Sequence, residues 1–150
     1  MRMTLLACVL LAVGFAPAPL PRPERRDSNP EKLDLAQLQG TWEEVRYIVG
    51  ANEQPGTTRC VVEGSRMTFY TNGKILSDWT ITLDVRARPK GMYCKTRGGS
   101  LGGVSHDSVY ELTGHTLKLC YGHGGTTRKR FPDLQPAPDR AIMVLLRASK

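Results

Sequence analysis

The sequence predicts an all-β protein: a small antiparallel up-and-down barrel of seven or eight strands, preceded by one short helix. From residue 42 onward, apolar and polar residues alternate with a period of two, which is typical of strands with one buried face. Turn-forming pairs that contain glycine separate these segments, and only one segment, at residues 34–40, has helical character. A two-sheet sandwich is the alternative, but only closure into a barrel removes the exposed sheet edges.

The chain begins with a segment that is typical of an export signal. Arg2 supplies a positive charge, and residues 5–16 form an apolar run of 12 residues, too short to span a membrane. Small residues near the end of this run offer cleavage points. We therefore assign residues 1–18 to a signal peptide and expect the protein in the periplasm, the cell envelope or the medium. We expect no transmembrane segment in the mature chain.

Two elements are expected between the signal and the first strand. Residues 19–31 are rich in proline and in charges of both signs, which indicates a flexible spacer. The charges of the spacer cancel, so the positive excess of the chain, whose net charge is +7, belongs to the predicted domain at 32–150. A helix over 34–40 comes next, with Asp34 as its N-cap, Gln37 at the capping-box position and Gly40 at its end.

The first of two predicted hairpins spans residues 66–85. A two-residue loop would put Phe69 opposite Leu76, on the wrong face of the strand pair. A three-residue loop at 71–73 puts Phe69 opposite Ile75, and Gly73 supplies the left-handed residue which that loop needs. The predicted apolar face holds Met67, Phe69, Trp79, Ile81, Leu83 and Val85.

The second hairpin is predicted to turn at Thr113 and Gly114. This loop pairs Leu112 with His115, and it places the apolar residues of both strands on one face. That face also holds Ser108, Tyr110, Leu117 and Leu119, whereas Val109, Glu111, Thr116, Lys118 and Cys120 lie on the other. Further strands are expected at residues 42–49, 60–62, 92–96 and 141–147.

The same register, extended away from the turn, predicts a binding site for a small molecule. It places His106 opposite Tyr121 on the face that is expected to point into the barrel. An apolar floor with a few convergent polar groups is how pockets for small ligands are usually built. The candidate binding residues are His106, Ser108, Tyr110, Tyr121 and His123. A rim at which strands simply emerge into water is the alternative.

A basic stretch gives a second hypothesis about partners. Arg128, Lys129 and Arg130 follow a glycine-rich loop and could form a surface that docks on an acidic envelope polymer. A solvated strand beside a hairpin loop is the alternative. We expect no nucleic-acid partner.

We expect no catalytic residue, no cofactor and no metal. His106 and His123 could share an ion, but a zinc site needs a third ligand. Strand parity points His106 away from its neighbours Ser105 and Asp107, which excludes a triad of these three residues.

Three cysteines lie beyond the signal. Cys60, Cys94 and Cys120 could include one disulfide after export, or all three could be small buried apolar residues. The residues themselves leave both readings open.

Two motifs carry a resemblance to a known family. L-Q-G-T-W stands at residues 38–42 and Y-E-L-T-G-H-T-L-K-L-C at residues 110–120. In these motifs the chain resembles the small lipocalin-like domains of exported proteins, mostly of unknown function, that are abundant in planctomycetes. The resemblance implies a β-barrel and export. It also implies, from the G-x-W opening of lipocalins, that Arg147 packs across Trp42 and closes one end of the barrel. The second lipocalin motif, of the T-D-Y type, has only a poor match at residues 139–141.

Overall fold

The computed structural model describes residues 29–99, 105–122 and 131–149, which form one helix and nine strands. These are α1 (Pro30–Leu38), β1 (Gly40–Val49), β2 (Asn52–Pro55), β3 (Arg59–Glu63), β4 (Arg66–Thr71), β5 (Lys74–Asp84), β6 (Lys90–Gly98), β7 (His106–Thr113), β8 (Thr116–Gly122) and β9 (Arg140–Arg147). No helix in this described part is long and apolar enough to cross a bilayer.

The strands close into a barrel. From β3 to β9 each strand pairs with the next in antiparallel fashion, and β1 pairs with both β3 and β9. The pairing of β1 with β9 runs from Trp42 opposite Arg147 to Val49 opposite Ala141. Eight strands therefore form a closed ring, β2 being an addition to β1, and the predicted barrel is confirmed over the sandwich.

β2 and β3 are two pieces of one interrupted wall strand, because both pair with the same side of β1. The side chain of Glu44 bridges the interruption, since its Oε2 accepts hydrogen bonds from the backbone N–H groups of Thr57 and Thr58, each at 3.0 Å. Gly56 approaches Glu44 so closely that a Cβ on it would lie 2.3 Å from the Glu44 backbone. The alternation of residues did not indicate β2 as a strand.

The core lies inside the barrel, and a smaller apolar cluster lies outside it. Alternate residues of the strands fill the interior, among them Trp42, Phe69, Met92, Leu119 and Leu145. On the outer face of β7, β8 and β9, Phe131 covers Val109, Cys120 and Ile142. The segment after residue 130 therefore shields apolar side chains of the wall that would otherwise face water.

α1 begins earlier than predicted. Asn29 is the N-cap and accepts a hydrogen bond from the N–H of Glu31 at 3.1 Å, and Pro30 occupies the first helical turn. Proline favours a helix start at this position, because it lacks the backbone N–H group that a residue in the first turn would leave without a partner. The assignment of Asp34 as N-cap was therefore wrong. Pro30 and Glu31 belong to the helix, whereas residues 1–28, with the predicted signal and most of the spacer, lie outside the described residues.

The first hairpin has the predicted faces but a different loop. Asn72 and Gly73 form a two-residue turn with φ of 52° and 74°, as type I′ turns require. Phe69 lies opposite Ser77 and not Ile75, because the register shifts after Phe69. This β-bulge supplies the extra residue that the prediction had assigned to the loop.

The second hairpin also keeps its faces. The turn lies at Gly114 and His115, one residue later than predicted, so that Tyr110 pairs with Leu119 and Ser108 with Tyr121. The pairs move by two positions, and a shift of two leaves every side chain on the same face. The interior residues of β7 and β8 are therefore those that the alternation predicted.

Candidate functional site

One end of the barrel is covered by α1, and we call it the helix end. Trp42 is fully buried there, and its Nε1 donates a hydrogen bond to the carbonyl of Leu38 at 2.8 Å. The guanidinium of Arg147 lies 4.3 Å from the centre of the Trp42 ring system and donates to the carbonyls of Gln37 and Gln39. These donors pair the last carbonyl groups of the helix, which have no partner within the helix itself.

A buried polar contact holds the middle of the helix to the barrel. Asp34 Oδ2 accepts hydrogen bonds from Lys90 Nζ at 2.6 Å and from the Tyr110 hydroxyl at 2.8 Å. Burial, and then Asp34, raise the pKa of Tyr110 far above its ordinary value. Tyr110, a predicted binding residue, is 1% exposed, so its hydroxyl is committed to this contact.

The opposite end, which we call the mouth, gathers a different set of side chains on the inner face of the wall. Here β1, β6 and β8 end, and β5 and β7 begin. We define the mouth cluster as Glu44, Tyr47, Trp79, Thr96, His106 and Tyr121. Tyr47, Thr96, His106 and Tyr121 are partly exposed.

The rings of the mouth cluster are in contact. The Trp79 ring meets His106 edge to face at 4.8 Å between centroids, and His106 lies 5.8 Å from Tyr121. Tyr47 lies near Tyr121 and contributes to the raised pKa of the Tyr121 hydroxyl. The structure thus brings together His106 and Tyr121, both predicted binding residues, although Tyr121 lies opposite Ser108 and reaches His106 diagonally.

The mouth disfavours negative charge on Tyr121. Burial raises the pKa of Tyr121 well above its ordinary value, and Tyr47 and the Glu44 carboxylate raise it further. The Oγ1 of Thr96 is buried and has no hydrogen-bond partner among the described residues. Tyr121 is therefore a neutral phenol at neutral pH, and Thr96 retains hydrogen-bonding capacity.

Ser108 lies deeper in the barrel. It is 3% exposed, donates to the carbonyl of Met92 at 2.9 Å and lies 3.6 Å from Cys94 Sγ. Like Tyr110, it is occupied by contacts within the chain. His123, Arg128, Lys129 and Arg130 lie outside the described residues, so the roles proposed for them stay predictions.

Comparisons of the chain with protein-family models, with curated proteins and with solved structures found no match. The resemblance to lipocalin-like domains therefore stays a prediction.

The three cysteines are free and buried. Cys60 and Cys94 belong to the interior cluster, whereas Cys120 belongs to the outer one, so the barrel wall separates Cys120 from the other two. Burial raises the pKa of Cys94 to about 12 and that of Cys120 to about 11, which keeps both thiols protonated. No three His, Cys, Asp or Glu side chains in the described ranges are arranged to hold a metal ion.

Two grooves lie on the outer wall. One of about 690 Å³ lies beside Gln39 and Arg147, and one of about 510 Å³ beside Tyr70. Both are lined by Glu43 and Arg59, one acidic and one basic residue. None of the described residues that line them has a buried polar side-chain atom without a hydrogen-bond partner. We assign no site to them.

Sequence reasoning missed Glu44, Tyr47 and Thr96. Alternation from Trp42 puts Glu44 on the inner face, and this signal could have identified a buried carboxylate. The same alternation puts Tyr47 outside. The register shift between Glu44 and Arg46 turns it inward, and no pattern in the sequence indicates that shift.

Proposed function

We propose that this chain is an exported domain that binds a small molecule at the mouth of the barrel and has no catalytic role. The observation that carries the proposal is the gathering of Tyr47, His106 and Tyr121, inward-facing and partly exposed, at the end that α1 does not cover. Sites for small ligands combine apolar surface with a few convergent polar groups, and they occur in the mouths of β-barrels.

The ligand would lie near the rim and not deep in the barrel. Phe69 packs on Trp79 at 4.9 Å between ring centroids, and Phe69 and Leu119 are both 2% exposed, so the space beneath the mouth cluster is filled. The Trp79 and Tyr121 rings offer apolar contact area, and the Tyr121 hydroxyl offers a hydrogen bond. A ligand of a few ring or chain atoms fits this arrangement better than a long acyl chain.

We also propose that the chain is a lipocalin-like domain outside the cytoplasm. Support for the family comes from the L-Q-G-T-W motif together with the closed eight-strand barrel and the position of Arg147 over Trp42. Support for the location comes from the apolar run at residues 5–16.

Native mass spectrometry of the protein purified from its own host tests both proposals. We expect the mass of a shortened polypeptide, cut near residue 18, and an additional mass that disappears on denaturation. His106→Ala should lose this additional mass because the side chain faces the mouth. Asp107→Ala is the matched control, because Asp107 is the next residue and lies on the other face.

Three results would contradict these proposals. A full-length polypeptide in the cytoplasm would exclude export. A protein that carries no ligand, and takes up none from a host extract, would exclude the binding function, as would equal retention by both variants.

A further inference from the structure

The buried carboxylates of the described residues differ in their partners. Asp34, Glu44 and Asp78 are each 9% exposed. Asp34 lies 2.6 Å from Lys90 Nζ, and Asp78 lies 2.9 Å from Arg66 Nε. For Glu44, by contrast, no Lys, Arg or His nitrogen of the described part lies within 4.0 Å. Glu44 therefore lacks the oppositely charged partner that Asp34 and Asp78 have. Burying a carboxylate without such a partner is costly, because the charge loses its contact with water and gains no opposite charge.

Hydrogen bonds hold the Glu44 carboxylate in place, but no cation of the described residues forms an ion pair with it. Its Oε2 accepts the N–H groups of Thr57 and Thr58, and no hydrogen bond from a described residue reaches Oε1. On β1 it lies opposite Leu145, whose side chain is fully buried in the interior. Its charge contributes to the raised pKa of Tyr121. The negative charge of Glu44 therefore affects groups inside the barrel at the mouth.

The Glu44 carboxylate favours a positively charged ligand, and the aromatic rings of the mouth cluster favour one as well. The faces of Trp and Tyr rings are electron-rich and attract cations, most strongly where water is excluded. Trp79 is 8% exposed, and its ring centroid lies 6.5 Å from that of Tyr121. An anion at this place would meet the charge of Glu44, and no Lys, Arg or His nitrogen of the described residues pairs with that carboxylate.

We propose that the mouth binds a small organic cation, an amine or a quaternary ammonium compound, whose positive charge lies against Glu44 and the rings of Trp79 and Tyr121. This proposal rests on the proposed function and specifies the class of its ligand. The net charge of +7 attracts anions to the outer surface of the protein. The proposed ligand at the mouth, by contrast, is a cation.

Three probes of equal shape and different charge test the proposal. They are choline, its uncharged analogue in which a tert-butyl group replaces the trimethylammonium group, and the carboxylate that corresponds to this analogue. The chain has two tryptophans, so NMR can follow the indole N–H of Trp79 at the mouth and that of Trp42 at the helix end as an internal control. We expect choline to shift only the Trp79 signal, with an affinity about tenfold above that of the uncharged analogue.

A matched pair of variants locates the charge preference. Glu44→Gln should reduce the preference for choline to about parity, whereas Glu43→Gln, at the exposed neighbour on the outer face, should leave it unchanged. Glutamine keeps an oxygen that can accept the N–H groups of Thr57 and Thr58, and a thermal melt checks that the variant folds. If it does not fold, the ranking of the three probes on the unaltered protein still decides.

The outcomes separate this inference from the proposed function. Equal or tighter binding of the uncharged or anionic probe at Trp79 would overturn the cation inference and leave the small-molecule function standing. A lack of response to all three probes would also overturn it, while a ligand retained in the native mass measurement would still support the function. A shift of the Trp42 signal alone would place the choline site elsewhere and overturn the inference.

Discussion

The two ends of the barrel use similar residues in different ways. At the helix end the polar side chains that contact α1 have partners within the chain: Asp34 pairs with Lys90 and Tyr110, and Arg147 pairs with the carbonyls of Gln37 and Gln39. At the mouth, Glu44 has no cation beside it among the described residues, and Thr96 Oγ1 has no hydrogen-bond partner among them. Polar groups that are already paired add to stability, and groups with spare capacity remain available to a ligand.

Tyr110 and Tyr121 show the difference between the two ends of the barrel most clearly. Both lie on the inner face of the hairpin formed by β7 and β8, and the pKa of each is raised by burial. Tyr110 lies under the helix and binds Asp34, whereas Tyr121 is partly exposed at the mouth. Distance from the helix, and not the face of the strand, therefore separates a structural tyrosine from a candidate binding residue.

Removal of Trp42 should have the largest effect. Trp42→Ala deletes a fully buried ring, its hydrogen bond to Leu38 and the surface that Arg147 covers, so we expect a loss of about 3–5 kcal/mol in the free energy of unfolding. Urea denaturation measures it. Leu33→Ala, at a 53% exposed position of α1, is the control and should stay within about 0.5 kcal/mol. A cost for Trp42→Ala as small as that of the control would show that the helix end does not stabilise the barrel.

The two tyrosines should separate stability from binding. Tyr110→Phe removes a donor to the buried Asp34 carboxylate and should cost about 1–2 kcal/mol. Tyr121→Phe should cost less than about 0.5 kcal/mol, because Tyr121 is partly exposed and its hydroxyl, unlike that of Tyr110, is not bonded to a buried carboxylate of the described residues. The same denaturation series, with ligand retention measured by native mass spectrometry, checks both variants. Weaker retention in Tyr110→Phe than in Tyr121→Phe would reverse the assignment of the two ends.

Asp78, on the outer wall, sets the scale for an ordinary paired carboxylate and should give the smallest effect. Its hydrogen bonds with Arg66 lower the pKa of Asp78, with smaller contributions from Thr68 and Arg97. Because the folded pKa lies below the unfolded one, the stabilisation is complete above about pH 4 and is lost as the pH falls through the folded value. Arg66 is 45% exposed, so we expect only about 0.5–1 kcal/mol.

Unfolding free energies measured against pH for the unaltered protein and for Asp78→Asn test this expectation. The two curves should differ near neutral pH and converge at low pH. A difference that does not depend on pH would show that the carboxylate contributes through packing and not through its charge.

The alternation of residues was enough to predict the barrel and its inner face, because burial of one face constrains every second residue. Trp79, Ile81 and Leu83 lie inside as predicted. Bulges were not predictable in this way. An added residue reverses the alternation after it, as at Tyr47, and the residues themselves do not indicate where that happens.

Other errors came from tertiary contacts. Aspartate is a common N-cap residue, but Asp34 lies inside the helix. Its carboxylate forms an ion pair with Lys90, which is 56 residues away along the chain. The hydroxyl of Tyr110 was assigned to binding for the same reason, since the helix that covers it comes from the other end of the sequence. Local patterns cannot report such pairs.

The pairing of Trp42 with Arg147 also determines the order in which the domain can assemble. The first strand of the barrel needs the last, so the ring cannot close until β9 is available, and the final contacts of α1 wait for the same residue. Folds dominated by such distant contacts form slowly, because the entropy of the long intervening chain is lost before the contacts form. A chain that emerges gradually during synthesis would therefore keep an open ring until β9 had appeared.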